Sequence, residues 1–319
     1  MISPTRHPPA VGPGDRVGVA ALSGPVDPER LEAGLAALRR LGFEPVVAAN
    51  VLARRGLFAG SDAERLAGFH ALAADPEVRA ILFARGGHGV LRVLPGIDWE
   101  LLRRVPRAYV GYSDLTPFLL AVVERLGWVS FHGPLVAADL ARGLTAEEEG
   151  SFLAVLAGAA PVELPWRSCP RPSRNGAARG PVLGGCLSLL AATVGTPYLP
   201  DLAGALLVWE DLNEAPYRVD RMLTHLGLSG NLAGITGMVV GHLGSPADTA
   251  SDDSAGNGAA DGEYASVALD STAAYRWPLA WGAPIGHCSP NRTLPLGAWG
   301  RFDEGAARLI AGEPWEGMR

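Results

Sequence analysis

The sequence predicts an α/β protein whose N-terminal part is a doubly wound parallel sheet. Three observations carry this. Between residues 15 and 134, short apolar runs alternate with amphipathic stretches of helical period. The runs end in glycine-rich or small polar turns, the places where such sheets present their ligands. A chain of 319 residues with 48% hydrophobic content is long enough for two domains and a substantial core.

After a proline-rich lead-in, residues 15–22 read as a first strand, closed by the turn Ser23-Gly24-Pro25. Residues 28–41 form an amphipathic helix, with Pro28 in its first turn and Gly42 at its end. A second strand covers 43–48. Ser61, with Glu64 three residues on, makes a capping box for a helix over 61–74. Residues 78–84 are a third strand running into Arg85-Gly86-Gly87-His88-Gly89. From Val105 the chain is a buried strand, with Arg107 as its only charge, and then a helix bearing Leu115, Phe118, Leu119, Val122, Val123 and Leu126 on its period. Gly111-Tyr112-Ser113-Asp114 forms the corner between them. Ser130-Phe131-His132 is a further strand, and an Ala/Glu-rich helix ends near Leu156. Residues 160–181, rich in Pro, Arg and Gly, mark the boundary: an N-terminal domain of 1–160, a linker of 161–181 and a C-terminal domain of 182–319.

The second half has a different texture. Gly184-Gly185 reads as a turn into a buried helix, and residues 204–209 as an apolar strand delivering Glu210-Asp211 at its mouth. A helix over 217–226 carries Arg218 and Arg221, and 235–241 is another strand. Residues 244–263 are small, polar and acidic without a basic residue, and read as a mobile loop.

Composition excludes several functions. A net charge of −6 provides no basic field to gather nucleic acid or an anionic membrane. No apolar run reaches membrane-spanning length, and the N-terminus lacks the apolar core of a secretory signal, so a cytoplasmic protein is expected. Cys169, Cys186 and Cys288 are too few and too scattered for a disulfide framework or a clustered zinc site. All 27 basic residues are arginine. Without lysine there is no Walker-type phosphate loop, no Schiff base, no internal pyridoxal linkage and no Ser–Lys dyad.

Ser113 is the candidate nucleophile, because a hydroxyl at a sharp strand-to-helix corner is pushed out beside the free N–H groups of the helix start. The alternative is that Ser113 or Asp114 only caps the helix. The Arg85–Gly89 loop does not match G-x-G-x-x-G; its glycines suit either an oxyanion hole or a tight turn. Among seven histidines, His88, His132, His242 and His287 follow strands or glycine turns, and His287 has the most constrained setting. Glu210, after a buried strand, needs a partner to offset desolvation. A histidine is one candidate and Arg218 or Arg221 another, while Asp211 and Glu214 compete for the same role.

Taken in order, the motifs resemble the LD-carboxypeptidase family of serine peptidases, which includes muramoyltetrapeptide carboxypeptidases and microcin C self-immunity hydrolases. The resemblance spans nearly the whole chain. It rests on Pro13-Gly14-Asp15, Arg85-Gly86-Gly87 with Gly89, Gly111-Tyr112-Ser113-Asp114 and His132-Gly133-Pro134. Gly184-Gly185 with Leu187-Ser188, Gly195-Thr196-Pro197-Tyr198-Leu199-Pro200, Glu210-Asp211 and Gly286-His287 complete it. It implies a smaller, β-rich α+β C-terminal domain, a homodimer, and no metal or cofactor. It also implies a triad of Ser113 as nucleophile, His287 as base and then acid, and Glu210 to orient it, with the N–H groups of Asp114 and Gly87 as oxyanion hole. Arg85, Gly86, His88 and Cys186 are expected at the substrate cleft. His88 and Cys186 stand where the family usually has tyrosine and asparagine, which bears on substrate identity. Arg85, Arg218, Arg221 and Arg292 are candidates to clamp a substrate carboxylate. The expected substrate is a murein tetrapeptide losing its terminal D-alanine in peptidoglycan recycling. The competing readings are a microcin-type hydrolase of aminoacyl-nucleotide conjugates and a non-catalytic peptide-binding protein.

Overall fold

The computed structural model describes residues 5–158, 161–166, 174–244, 258–303 and 308–313. In the first half the order is β1 (Arg16–Ala20), α1 (Pro28–Arg40), β2 (Glu44–Val47), α2 (Asp62–Ala74) and β3 (Val78–Phe83). There follow α3 (Val90–Val93), α4 (Trp99–Arg104), β4 (Ala108–Gly111), α5 (Thr116–Leu126), β5 (Ser130–His132) and α6 (Ala146–Leu156). The five strands pair in parallel in the order β5-β4-β3-β1-β2, so the winding reverses between β1 and β3. The turn after β1 and the glycine loop after β3 meet at this switch point, where the Gly24 N–H donates to Gly86 O at 3.0 Å.

Local signals explain most elements. Asp27 caps α1, accepting from Arg30 N at 3.0 Å, and Leu31, Leu35 and Leu38 form the buried face. The expected capping box of α2 forms, Ser61 N–H donating to Glu64 at 2.7 Å and Glu64 N–H to Ser61 Oγ at 3.2 Å. Arg107 is buried, and its guanidinium donates to Leu72 O and Ala73 O at 2.9 Å each. It thus satisfies the last carbonyls of α2 and complements the negative end of that helix. Helix α5 is buried almost all round, with Phe118 packed against Phe69, Phe83, Trp99 and Tyr109.

The second half supplies β6 (Val162–Pro165), β7 (Ala178–Cys186), α7 (Leu187–Thr193), β8 (Leu206–Leu212), α8 (Pro216–Leu228), β9 (Gly237–Gly244) and α9 (Gly258–Ser271). After these come β10 (Leu279–Trp281), β11 (Leu294–Leu296), β12 (Trp299–Phe302) and β13 (Arg308–Glu313). Its sheet runs β10-β9-β8-β7-β12-β13-β6, parallel from β10 to β7 and antiparallel beyond. Strand β11 leaves this sheet and adds to the first one, antiparallel to β5, with Leu294 opposite His132. The α/β class and the β-rich second half are as expected.

Four expectations change. Gly184 and Gly185 lie inside β7 rather than in a turn, because β-carbons there would fall 1.6 Å from Val208 O and 2.6 Å from Thr116 Oγ1. Glycine serves close approach of chains at both positions. Glu210 is inside β8, not at its mouth. The expected linker 161–181 contains β6 and the first residues of β7, with 167–173 outside the described residues. Of the expected loop 244–263, residues 258–263 begin α9, and 245–257 lie outside the described residues. Among the described residues no helix is long and apolar enough to cross a membrane.

Candidate active site

Strand β4 ends at Gly111, Tyr112 remains extended, and Ser113 turns sharply with φ of 63°. A left-handed conformation costs a residue with a side chain about 1–2 kcal/mol, so it persists only where its surroundings impose it. Thr116, in the first turn of α5, donates its hydroxyl to Ser113 O at 2.8 Å and accepts the N–H of Cys186 at 3.0 Å. One hydroxyl therefore fastens the serine corner to β7 of the other half. Neither Ser113 nor Asp114 caps the helix through its side chain. Asp114 instead accepts the N–H of Val90 at 2.9 Å, tying the corner to the end of the glycine loop.

Glu210 projects from β8 with no exposure, and His287 lies in the loop between β10 and β11. His287 Nδ1 is 2.7 Å from Glu210 Oε2, and its backbone N–H reaches the same oxygen at 3.3 Å. On the other edge of the ring, Nε2 is 3.2 Å from Ser113 Oγ. A carboxylate beside Nδ1 selects the tautomer with its proton there, leaving Nε2 to accept the serine proton. Gly286 has φ of 97°, and a β-carbon on it would lie 2.3 Å from Glu210 Oε2. Only glycine lets the histidine approach the carboxylate so closely.

The electrostatics match this arrangement. Burial alone would raise the Glu210 carboxyl, but His287 and His132 outweigh it and hold the group well below the usual carboxylate range. Burial alone would lower His287, but Glu210 outweighs it and raises the imidazole above 6.5. His132, fully buried on β5, brings Nε2 to 3.7 Å from Glu210 Oε1. The Tyr112 ring meets His287 edge-on at 5.0 Å and lies tilted against His132 at 5.4 Å.

The other expected residues divide. Gly86 packs on the serine, since a β-carbon there would lie 3.1 Å from Ser113 Oγ and 3.7 Å from Asp114 N. Gly87 follows with φ of 107°. Arg85 and His88 are exposed beside them, Arg85 donating to Pro25 O at 2.7 Å and His88 tilted over Phe58 at 5.9 Å. Cys186 is buried, with Sγ 3.4 Å from Asp211 Oδ1; burial, then Glu210 and Asp211, push its thiol well up. Asp211 is engaged by Ser188 N at 2.7 Å and Leu212 N at 2.8 Å, and Glu214 pairs with Arg218 at 3.4 Å, so neither competes for His287. Arg292 is held by Glu147 at 2.8 Å, and Arg221 lies over Tyr217. A cleft of about 540 Å³ opens beside Arg85, lined also by Asp27, Glu29, Arg30, Ala137 and Arg142 but by none of Ser113, Glu210 and His287. Among the described residues no group of His, Cys, Asp and Glu could hold a metal ion. Sequence reasoning did not single out Tyr112 or Thr116; their only signal was adjacency to Ser113 within two strongly apolar elements.

Fold and site together define a two-domain α/β protein with a Ser–His–Glu constellation assembled from both halves. Comparison with known proteins agrees. The models of the LD-carboxypeptidase N-terminal domain and C-terminal domain match residues 17–133 and 179–302. The "Probable murein peptide carboxypeptidase" of Bacillus subtilis is 35% identical over 91% of this chain and 89% of its own length. The murein tetrapeptide carboxypeptidase of Pseudomonas aeruginosa is 32% identical over 88% of this chain and 91% of its own. The crystal structure of muramoyltetrapeptide carboxypeptidase from Oxalobacter formigenes superposes with a TM-score of 0.80 at 29% identity, covering 93% of this chain and 97% of that one. The microcin C7 self-immunity protein shares the fold, with a TM-score of 0.83 at 22% identity over 96% of this chain and 98% of its own. The chain belongs to the LD-carboxypeptidase family.

Proposed function

We propose that the protein is a serine carboxypeptidase that removes the terminal D-alanine from a murein tetrapeptide. The observation that carries this reading is His287 standing 2.7 Å from Glu210 and 3.2 Å from Ser113, in a chain of this family. His287 Nε2 takes the hydroxyl proton as Ser113 Oγ attacks the scissile carbonyl, and Glu210 stabilises the imidazolium that forms. The N–H groups of Asp114 and Gly87 receive the oxyanion; the packing of Gly86 against Ser113 and Asp114 N supports this assignment. Collapse breaks the C–N bond as His287 protonates the leaving amine. Water, deprotonated in turn by His287, then releases the acyl group from Ser113. Arg85, exposed at the start of the glycine loop that packs on Ser113, is the cation this reading assigns to a substrate carboxylate.

The proposal includes a cytoplasmic homodimer working in peptidoglycan recycling, and sedimentation velocity tests the assembly. Measuring D-alanine release from UDP-MurNAc-tetrapeptide tests the reaction. Wild type is expected to release it, and Ser113→Ala to lose at least about 10³-fold. Undiminished activity in that variant refutes Ser113 as nucleophile. Turnover of an aminoacyl sulfamoyl nucleotide in place of the tetrapeptide refutes the substrate.

A further inference from the structure

His287 and Ser113 belong to different halves of the chain, so the imidazole must be registered on the serine by contacts that cross between them. Residues 289–293, which lead from His287 into β11, lie along α6 of the first half. Glu148 of α6 is buried, and its carboxylate is the focus of these contacts. It accepts both guanidinium nitrogens of Arg142, the N–H of Thr145 at 2.7 Å, the N–H of Asn291 at 2.7 Å and the Ser289 hydroxyl at 3.5 Å. Burial alone would raise this carboxyl, but Arg142 and the N–H groups of Thr145 and Asn291 outweigh it and keep the group ionised. Asn291, itself buried, passes the contact on: its Oδ1 accepts the N–H of Gly286 at 2.9 Å. Gly286 is the residue pressed against Glu210, and His287 follows it. Farther along, Thr293 N–H donates to Ser151 Oγ at 3.1 Å.

A simpler role for Glu148 is the capping box it forms with Thr145. That role requires only Thr145 and is satisfied by an exposed side chain. It explains neither the burial nor the two donors that come from residues 289 and 291 of the other half. Arg142 also reaches Asp139 at 3.4 Å, and Asp139 accepts the hydroxyl of Tyr112, whose ring packs on His287, at 3.5 Å. The cluster therefore meets the histidine from two sides.

We infer that Glu148 is a positioning residue for His287, acting through Asn291 and Gly286 to register the imidazole on Ser113. This rests on the triad proposed above, and the test separates the two. A proton shared between His287 Nδ1 and Glu210 at 2.7 Å gives a far-downfield ¹H resonance, assigned by its loss in His287→Ala. In Glu148→Ala this resonance is expected to shift upfield or broaden away, and labelling of Ser113 by a fluorophosphonate to slow at least tenfold. Glu148→Gln, whose amide oxygen still accepts the Asn291 N–H, restores part of both. Where Glu148→Ala does not fold, Asn291→Ala, which keeps the Glu148–Arg142 pair, carries the same expectation. Ser151→Ala loosens the strap beyond Asn291 and is expected to change neither readout. A wild-type resonance and labelling rate unmoved in folded Glu148→Ala or Asn291→Ala overturns this inference alone, as does an equal effect of Ser151→Ala. A wild type lacking both resonance and labelling overturns the triad and this inference with it.

Discussion

Replacing Glu210 by Gln isolates what the buried charge contributes. The amide is nearly isosteric, and its oxygen can face His287 Nδ1 while its NH₂ faces His132 Nε2, 3.7 Å from Oε1 in the native chain, once His132 takes the tautomer with its proton on Nδ1. Orientation of the imidazole is thereby largely kept, and only the charge is lost. In the proposed reaction, His287 becomes cationic as Ser113 attacks, with the carboxylate in direct contact at 2.7 Å. Opposite charges about 4 Å apart attract by about 4 kcal/mol at an effective dielectric near 20. Loss of that term from the transition state corresponds to about 10³-fold in kcat. The native carboxylate also lifts His287 above 6.5 against burial, so its removal leaves burial to lower the base. D-alanine release measured between pH 5 and 9 should therefore show a kcat about 10³-fold lower and an acid limb displaced to lower pH. A variant within tenfold of wild type, with its acid limb unmoved, refutes the assignment of Glu210.

In wild type, the neutral base accumulates as pH rises through a His287 pKa above 6.5, so activity should fall on acidification through a midpoint above that value; a kcat/KM profile locates it. Gly86→Ala puts a methyl 3.0 Å from Ser113 Cβ and 3.1 Å from Oγ, and displacement of the hydroxyl should cost on the order of tenfold to a hundredfold in kcat, measured by the same assay. Gly286→Ala combines a left-handed φ with a contact of 2.3 Å to Glu210; it should lower activity at least about 10²-fold and stability by about 2 kcal/mol, read from turnover and urea midpoints. Arg107→Ala leaves the Leu72 and Ala73 carbonyls without their buried donor and should cost about 3 kcal/mol in chemical denaturation, while turnover of the folded fraction stays near wild type.

The features legible in the sequence are those written in local chemistry. Ser61 and Glu64 spell their capping box, and the alternation of apolar runs with helical periods gives the first sheet. Gly111-Tyr112-Ser113-Asp114 announces a corner, although not that Ser113 sits at φ of 63° or that Asp114 turns away to hold Val90. Gly184 and Gly185 read as a turn because, in sequence, a glycine that turns the chain and one that admits a close neighbour look identical; only the contacts with Val208 and Thr116 distinguish them. Glu210 reads as a residue at a strand's mouth because a carboxylate inside a buried strand is costly. Its offsets, His287 and His132, lie 77 and 78 residues away along the chain. Strand β11 is not legible in the sequence: three residues with a central proline carry little strand signal, and the pairing with β5 is set by packing between distant segments. The same non-locality hides the Glu148–Asn291 contact, which joins residues 143 apart.

The central claim is that Ser113 is the group acylated when the terminal D-alanine leaves. Trypsin should release residues 108–125 as one peptide, in which Ser113 is the only serine. A fluorophosphonate reacted with the full-length protein should add one equivalent to this peptide, abolish D-alanine release in proportion, and be excluded by excess murein tetrapeptide. A label found elsewhere, or full D-alanine release from a stoichiometrically labelled protein, contradicts the account.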